Sequence, residues 1–400
     1  MTKNADEDND NNNSYEQNAW NISLNSSFNE KSLNLLGKNL WFKGNDVYVY
    51  QYKDITIIGY GRIYNEMDLW MLIINTPPPK EKTHSLQIVI ELYKKIGFEK
   101  TLEYLDGDFS FILFDMNLYG DESLLYVVRD YLGLMSMYQW ISNINKKVQF
   151  VDDTCNENSN QYLFSSSIIS SDNMINEPII NGTYMIFTHS FKVSANWKHK
   201  STIHYYKLPF HSTYVEDNVN KTQYLLEIEK AFNRKLRYIT PFCIEDTQCD
   251  RNEIGIIRIQ NDGSPSQQDN TINSHLMEYL DKNTINYKII SFVVETEEKY
   301  PTIIQKLKQT LNNNDPFIIR AYFIPLMIAK YIKEKEPQIK YVLMTEFFIY
   351  KWININIFDR REELNSVFFR ERLNGWTDAF FEYGIDLIIP YLDRTLLQKI

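Results

Sequence analysis

The sequence predicts an α/β protein of two domains. Three observations lead there. The chain has 400 residues, 44% of them hydrophobic and 14% aromatic, which is enough for two sizeable cores. Residues 86–128 read as a helix followed by a pair of buried strands. Residues 221–344 read as a helix followed by three more short apolar strands, at 253–260, 289–294 and 341–344.

Charge and composition exclude several classes. The net charge is −10 and no basic run is sustained, so there is no electrostatic footprint for nucleic acid or an anionic membrane. Cys155, Cys243 and Cys249 form neither a C-x-x-C pair nor a disulfide framework, which points to a reducing compartment. The six histidines show no metal-binding spacing, so no metal site is expected. No apolar run reaches membrane-spanning length, and the acidic, Asn-rich N-terminus is no signal peptide. The expected location is cytoplasmic, or the virion for a viral source.

In chain order, residues 1–30 are expected to be a disordered polar tail; 1–18 are low in complexity. Residues 47–58 alternate and then become mostly apolar, which predicts two strands around Lys53-Asp54. They lead into a loop, Gly59–Asn65, that connects strand to helix. Thr76–Pro79 is a polyproline-like spacer. Over Leu86–Ile96, apolar Leu86, Val89, Ile90, Leu92, Tyr93 and Ile96 share a helical face, with Lys94 and Lys95 outside it. Leu105-Asp106-Gly107 turns the chain. Asp108–Asp115 then reads as a buried strand, and Leu124–Val128 as a second one reached through the polar hairpin Asn117–Glu122. Residues 141–160 are a polar loop. A linker is expected over 208–218. The helix Lys221–Ile239 carries Tyr224, Leu225, Ile228, Phe232 and Leu236 on its apolar face. Asp262-Gly263-Ser264 follows the 253–260 strand as a turn, and Ile289–Val294 is expected to be a buried strand.

The wording of L-D-G-D-F-S-F-I-L-F-D and then L-L-Y-V-V-R-D-Y-L-G-L goes further. Through Leu105, Asp106, Gly107, Phe109, Phe111, Asp115, Arg129, Asp130, Gly133 and Tyr138 it resembles the glutaminase part of glutamine-hydrolysing asparagine synthetases. Gly61, Ile63, Tyr64 and Asn65 fit the same family's N-G-E-I-Y-N segment, and Arg320, Ala321, Lys330 and Tyr331 fit its synthetase part. Tyr383–Asp393 resembles the stretch that ends in V-P-F-L-D. The resemblance runs over residues 35–395. It implies an α-β-β-α sandwich of the N-terminal-nucleophile type (class II amidotransferase-like) over 31–207. It also implies a doubly wound ATP-pyrophosphatase-like domain over 219–400, C-terminally short.

The positions that carry chemistry in that family are replaced here. Its N-terminal cysteine nucleophile falls on Thr2. Its oxyanion-hole asparagine falls on Tyr60 and its substrate-binding glutamate on Arg62, beside the retained Gly61. Its amine-binding S-D-x-E falls on His84-Ser85-Leu86-Gln87, with Ser85 at the aspartate. Its S-G-G-x-D-S phosphate loop is reduced to Asp262-Gly263-Ser264, and phosphate cradles use glycines so that backbone amides can converge. Glu346 stands at the catalytic glutamate, but Ile349 and Tyr350 replace the metal-binding acids that follow it. Its phosphate-contacting cations fall near Asp378 and on Ile388.

The resemblance therefore implies a catalytically degenerate asparagine synthetase-like protein acting by binding or assembly, with a protein partner or self-association and no cofactor. One alternative is a working synthetase that makes asparagine from aspartate, ATP and ammonia or glutamine. It would use Mg²⁺, with Glu346 as base and Asp262–Ser264 as the phosphate loop. Another is a small-molecule sensor that uses Arg62 to hold an anion. Tyr60, Phe347 and Phe348 are expected to fill the two pockets.

Overall fold

The computed structural model describes residues 22–25, 30–35, 38–43, 48–79, 84–116, 122–142, 161–165, 175–189, 198–206, 221–237, 254–260, 277–283, 285–293, 297–311, 313–344, 367–394 and 396. The first strands are β1 (Ile22–Asn25), β2 (Glu30–Leu35), β3 (Lys38–Lys43), β4 (Tyr48–Tyr52) and β5 (Ile55–Ile63). A short helix, α1 (Glu66–Leu69), continues as a π-helical turn over Trp70–Ile74. Then come α2 (Gln87–Ile96), α3 (Phe98–Tyr104), β6 (Gly107–Asp115) and β7 (Ser123–Arg129). They are followed by β8 (Tyr138–Ser142), β9 (Gln161–Ser165), β10 (Ile175–Pro178), β11 (Thr183–His189) and β12 (Lys198–His204). The remainder comprises α4 (Lys221–Arg237), β13 (Ile254–Gln260), β14 (Lys288–Val293), α5 (Pro301–Leu311), α6 (Pro316–Lys335), β15 (Tyr341–Leu343), α7 (Val367–Glu382) and β16 (Asp386–Ile388).

The chain divides into two compact units. One is Met1–Asn45 with Met137–Pro178; the other is Asp46–Ser136 with Ile179–Ile400. The first holds two antiparallel three-stranded sheets, ordered β1-β2-β3 and β10-β8-β9. The boundary expected at 208–218 lies outside the described residues.

The larger unit contains a six-stranded antiparallel sheet, β12-β11-β7-β6-β5-β4. Strands alternate their side chains between faces. One face, with Ile57, Ile63, Phe109, Phe111, Leu113 and Val128, packs on Leu69, Trp70, Val89, Leu92, Phe98 and Leu102 of the helices. This explains α2: its apolar stripe is the one read from the sequence, and Lys94 and Lys95 stay outside. Gly97, at φ +82°, ends α2 and lets α3 start in a new direction. The sequence reading had not separated α3 from the turn at Leu105–Gly107.

The same unit holds a second sheet, wholly parallel, ordered β14-β13-β15-β16. Helices cover both faces. Ile228, Phe232 and Leu236 of α4 pack with Ile254, Ile256 and Leu343 on one side. Ile328 and Ile332 of α6 pack with Leu373, Trp376 and Phe380 of α7 against Ile257, Ile290 and Val342 on the other. The protein is therefore a mixed α/β fold, as expected.

Three local expectations are corrected. Gly59–Asn65 is no loop up to Ile63: β5 runs through it, so Tyr60, Gly61 and Arg62 are strand residues paired with Ser110, Phe109 and Asp108. The strand near 289–294 is not buried. β14 is an edge strand, with Ile289 37% and Val293 48% exposed, so its apolar run marks a sheet edge rather than a centre. The strand β8 also reaches Ser142, the second residue of the segment expected to be a polar loop; residues 143–160 lie outside the described residues. No described helix is long and apolar enough to cross a membrane.

Candidate functional site

The four residues read as pocket equivalents each have a structural partner. Tyr60 lies on the sheet face opposite α1, α2 and α3 and is 3% exposed, and its ring lies 4.9 Å from that of Phe381 on α7. Burial, and then the Asp378 carboxylate, push its hydroxyl well above the usual tyrosine range, so it stays protonated. Gly61 sits at φ +110°, and a Cβ there would run into the Asp108 carbonyl of the neighbouring strand. Its glycine is thus required by the β5–β6 pairing itself. Arg62 ion-pairs with Asp386 of β16 and lies over the Tyr341 ring at 5.4 Å. Ser85, buried in the turn before α2, accepts the Ile63 backbone N–H at 3.1 Å and so ties that turn to the end of β5.

His84, next to Ser85, stacks on Tyr48 with ring centroids 4.3 Å apart, and its Nδ1 accepts the Leu86 N–H at 3.2 Å. Burial, helped by the Arg62 charge, pulls its pKa down to about 4. A neutral imidazole with its Nδ1 already accepting is a structural group here. Position 87 carries Gln87, whose amide donates to the Tyr50 hydroxyl at 3.1 Å.

Arg129 and Asp130, both matched by the family wording, organise the next turn. The Asp130 carboxylate accepts four backbone N–H groups, those of Leu132, Gly133, Leu134 and Met135, at 2.7–3.0 Å. Burial nevertheless raises its pKa to about 6, with Asp108 adding to the shift. The Arg129 guanidinium donates to the carbonyls of Met135, Ile179 and Gly133 and to Asn374 Oδ1 on α7, all within 3.0 Å. Gly133, at φ +73°, leaves room for it, since a Cβ there would lie 2.9 Å from the guanidinium carbon. The R-D-x-x-G string thus reads as a buried hydrogen-bonded corner joined to the second half of the chain.

More such joins follow. Lys235 on α4 is 1% exposed, lies 3.3 Å from Asp108 Oδ2, and donates to the Leu392 carbonyl at 3.3 Å. Tyr64 donates to the same carboxylate at 2.5 Å. Asp393 binds the Arg234 fork and the Leu396 N–H. Arg394 donates to the Leu105 carbonyl at 2.6 Å and lies over the Tyr206 ring. The sequence reading had used Asp106, Asp108 and Asp393 only as parts of matched strings, and had not singled out Lys235. Its signal was present: Lys235 follows Ile228 and Phe232 on the apolar side of α4, a place where a cation needs a buried partner.

Thr2, Asp262, Gly263, Ser264, Glu346, Phe347 and Phe348 lie outside the described residues. The strands that precede two of these segments are described. β13 ends at Gln260 and β15 at Leu343; they are parallel neighbours, and the strand order reverses between them. Asp378 is on α7 and Ile388, 0% exposed, packs with the α4 face of the parallel sheet. No metal-holding cluster of His, Cys, Asp and Glu occurs among the described residues.

Comparison with known families finds a glutamine amidotransferase domain at residues 42–152. The match covers β4 to β8, including Tyr60–Arg62, Ser85 and the Arg129–Asp130 corner. No curated protein matches the chain.

Proposed function

We propose that the chain is an asparagine synthetase-like protein that acts by binding or assembly rather than by catalysis. One observation carries this reading: at the amide-transfer positions of its amidotransferase domain the side chains serve the protein's own packing. Tyr60 is buried against Phe381, Arg62 is paired with Asp386, and Ser85 is bonded to Ile63. A glutaminase pocket needs an oxyanion donor and carboxylates facing the substrate; removing one such donor typically costs about 10²–10³ in rate. In this reading no cofactor is needed. The partner is a protein: an active synthetase, another copy of the chain, or a cellular or viral assembly. The division into 31–207 and 219–400 and a cytoplasmic or virion location belong to the same proposal.

The test is a glutaminase assay and an ATP–pyrophosphate exchange assay on the full chain. Both rates are expected at background. A rate above background that disappears in Thr2→Ala or Glu346→Gln overturns the proposal.

A second reading, a working ATP-dependent synthetase, is favoured by the topology of the parallel sheet. Open α/β sheets bind ligands beyond the carboxyl ends of strands where the order reverses. The Asp262–Ser264 segment follows β13 and Glu346 follows β15. In this reading those segments hold ATP and Mg²⁺, and exchange activity separates it from the first. The ion pair with Asp386 takes the Arg62 guanidinium away from the anionic ligand that a sensor would need.

A further inference from the structure

Among the described strands, β14 ends the parallel sheet and is paired on one side only, with β13. Its sequence, Lys288-Ile289-Ile290-Ser291-Phe292-Val293, is apolar toward both faces. Strands of that kind belong in sheet centres, covered above and below. Ile290 and Phe292 turn to the α6 side, where the Phe292 ring meets that of Tyr331 edge-on at 5.7 Å. Ile289 lies beside Ile256, on the α4 side, and with Val293 stays 37% and 48% exposed there. Edge strands are usually blunted by a lysine, a proline or a bulge. No proline interrupts β14 and its register with β13 has no bulge; its one lysine, Lys288, is drawn off to Glu336 at 2.6 Å. The surroundings are half covered too. Tyr331 is 38% exposed, and α5, which packs on α6, buries none of its residues although Ile303, Ile304 and Leu307 share one side of it.

We propose that β14 is the contact through which two copies of this chain join, antiparallel about a two-fold axis, so that their parallel sheets become one continuous sheet. An axis through the sheet keeps each face on its own side, so opposed residues must point the same way. With Ser291 on the axis, Ile289 lies opposite the partner's Val293, and Ile290 lies opposite the partner's Phe292. Each exposed branched side chain then covers another. Shifting the register by two sets Ile289 against Ser291 or Glu295 instead. Charge selects the same pairing. Lys282 and Lys288 outweigh Asp281 on the amino side of the apolar run, and Glu295, Glu297 and Glu298 outweigh Lys299 on its carboxyl side. Antiparallel pairing sets each positive end beside a negative one, whereas parallel pairing would set like beside like. A strand of six residues falls short of the roughly 800 Å² per partner that a stable dimer buries, and Tyr331 and the uncovered side of α5 supply further surface beside it. The inference rests on the assembly reading and names its partner as a second copy. It uses no residue of either pocket, so a monomer would refute it and leave the glutaminase and exchange rates to decide catalysis.

The test is analytical ultracentrifugation of the full chain at micromolar concentration, with circular dichroism to check folding. Wild type is expected to sediment as a dimer of the 47.7 kDa chain. Ile289→Lys/Val293→Lys opposes like charges at two places in the proposed register and removes the apolar cover, so the dimer should weaken at least about a hundredfold. Ile289→Lys/Val293→Glu opposes unlike charges at the same two places and should recover most of that loss. A monomeric wild type overturns the proposal, whether another segment of this chain or another protein then covers the edge. So does a dimer that both variants leave unchanged, or that both weaken alike. If the first variant does not fold, Ser291→Cys decides: on the axis it faces its own copy, within reach of a short thiol-to-thiol crosslinker. A 291–291 link between copies is expected, and its absence refutes the contact.

Discussion

Replacing Lys235 by methionine removes the cation from an ion pair in which both side chains are all but fully buried, at 1% for Lys235 and 3% for Asp108. The methionine fills a similar volume, so the loss is electrostatic rather than a cavity. Asp108 then keeps the Tyr64 hydroxyl as its one close donor among the described residues, with a full charge away from water. Breaking a buried pair from one side costs about 3–5 kcal/mol, because the remaining charge is uncompensated. That is a large part of the about 5–15 kcal/mol by which a protein is stable. Adding Asp108→Asn removes the orphan charge while its amide oxygen can still accept from Tyr64. The double variant Lys235→Met/Asp108→Asn is therefore expected to recover most of the loss. Urea unfolding at neutral pH, followed by fluorescence, measures both. A Lys235→Met cost under about 1 kcal/mol, or a double variant no more stable than the single one, would refute the reasoning that this join is held by compensated buried charge.

The other expectations follow from the same structure. Arg62→Ala should cost about 1–3 kcal/mol in the same assay, mainly through lost packing, because the Arg62 side chain is 9% exposed and lies over the Tyr341 ring while the 46% exposed Asp386 lets solvent screen the ion pair; no measurable loss would contradict this. Ser85→Ala should cost about 1–3 kcal/mol by leaving the buried Ile63 N–H without its acceptor, and Ser85→Thr should recover part of it. His84 is held neutral to about 4 against an ordinary 6.5, so the stability it contributes is present above 6.5 and is lost as pH falls toward 4. His84→Gln should flatten that acid limb of the stability profile, and an unchanged slope between pH 6.5 and 4 would count against the assignment.

Periodicity made the first-half elements readable. The α2 stripe and the unbroken apolar runs of β6 and β7 are each set by local burial, and they appear where the sequence places them. Apolar content alone could not tell a central strand from an edge, and so β14 was misjudged: Ile289 and Val293 have the right chemistry for a core but lie at the last position of the sheet. Gly61 and Arg62 read as loop because the family segment they resemble, N-G-E-I-Y-N, is taken as a loop. Their strand conformation depends on the close approach of β6, which no local pattern reveals. The wording around Arg129 and Asp130 located an important corner, yet its partner Asn374 is 245 positions away. The Lys235–Asp108 pair spans 127 positions and was equally out of reach, although a lysine in an apolar helix stripe was a visible clue.

The most direct test of the account is calorimetric titration of the full chain with glutamine and, separately, with Mg²⁺-ATP at millimolar concentration. If the residues at the amide-transfer and phosphate positions now serve the protein's own structure and assembly, neither ligand gives binding heat. Saturable binding of glutamine that weakens in Arg62→Ala or Ser85→Ala, or of Mg²⁺-ATP that weakens in Glu346→Gln, would contradict it.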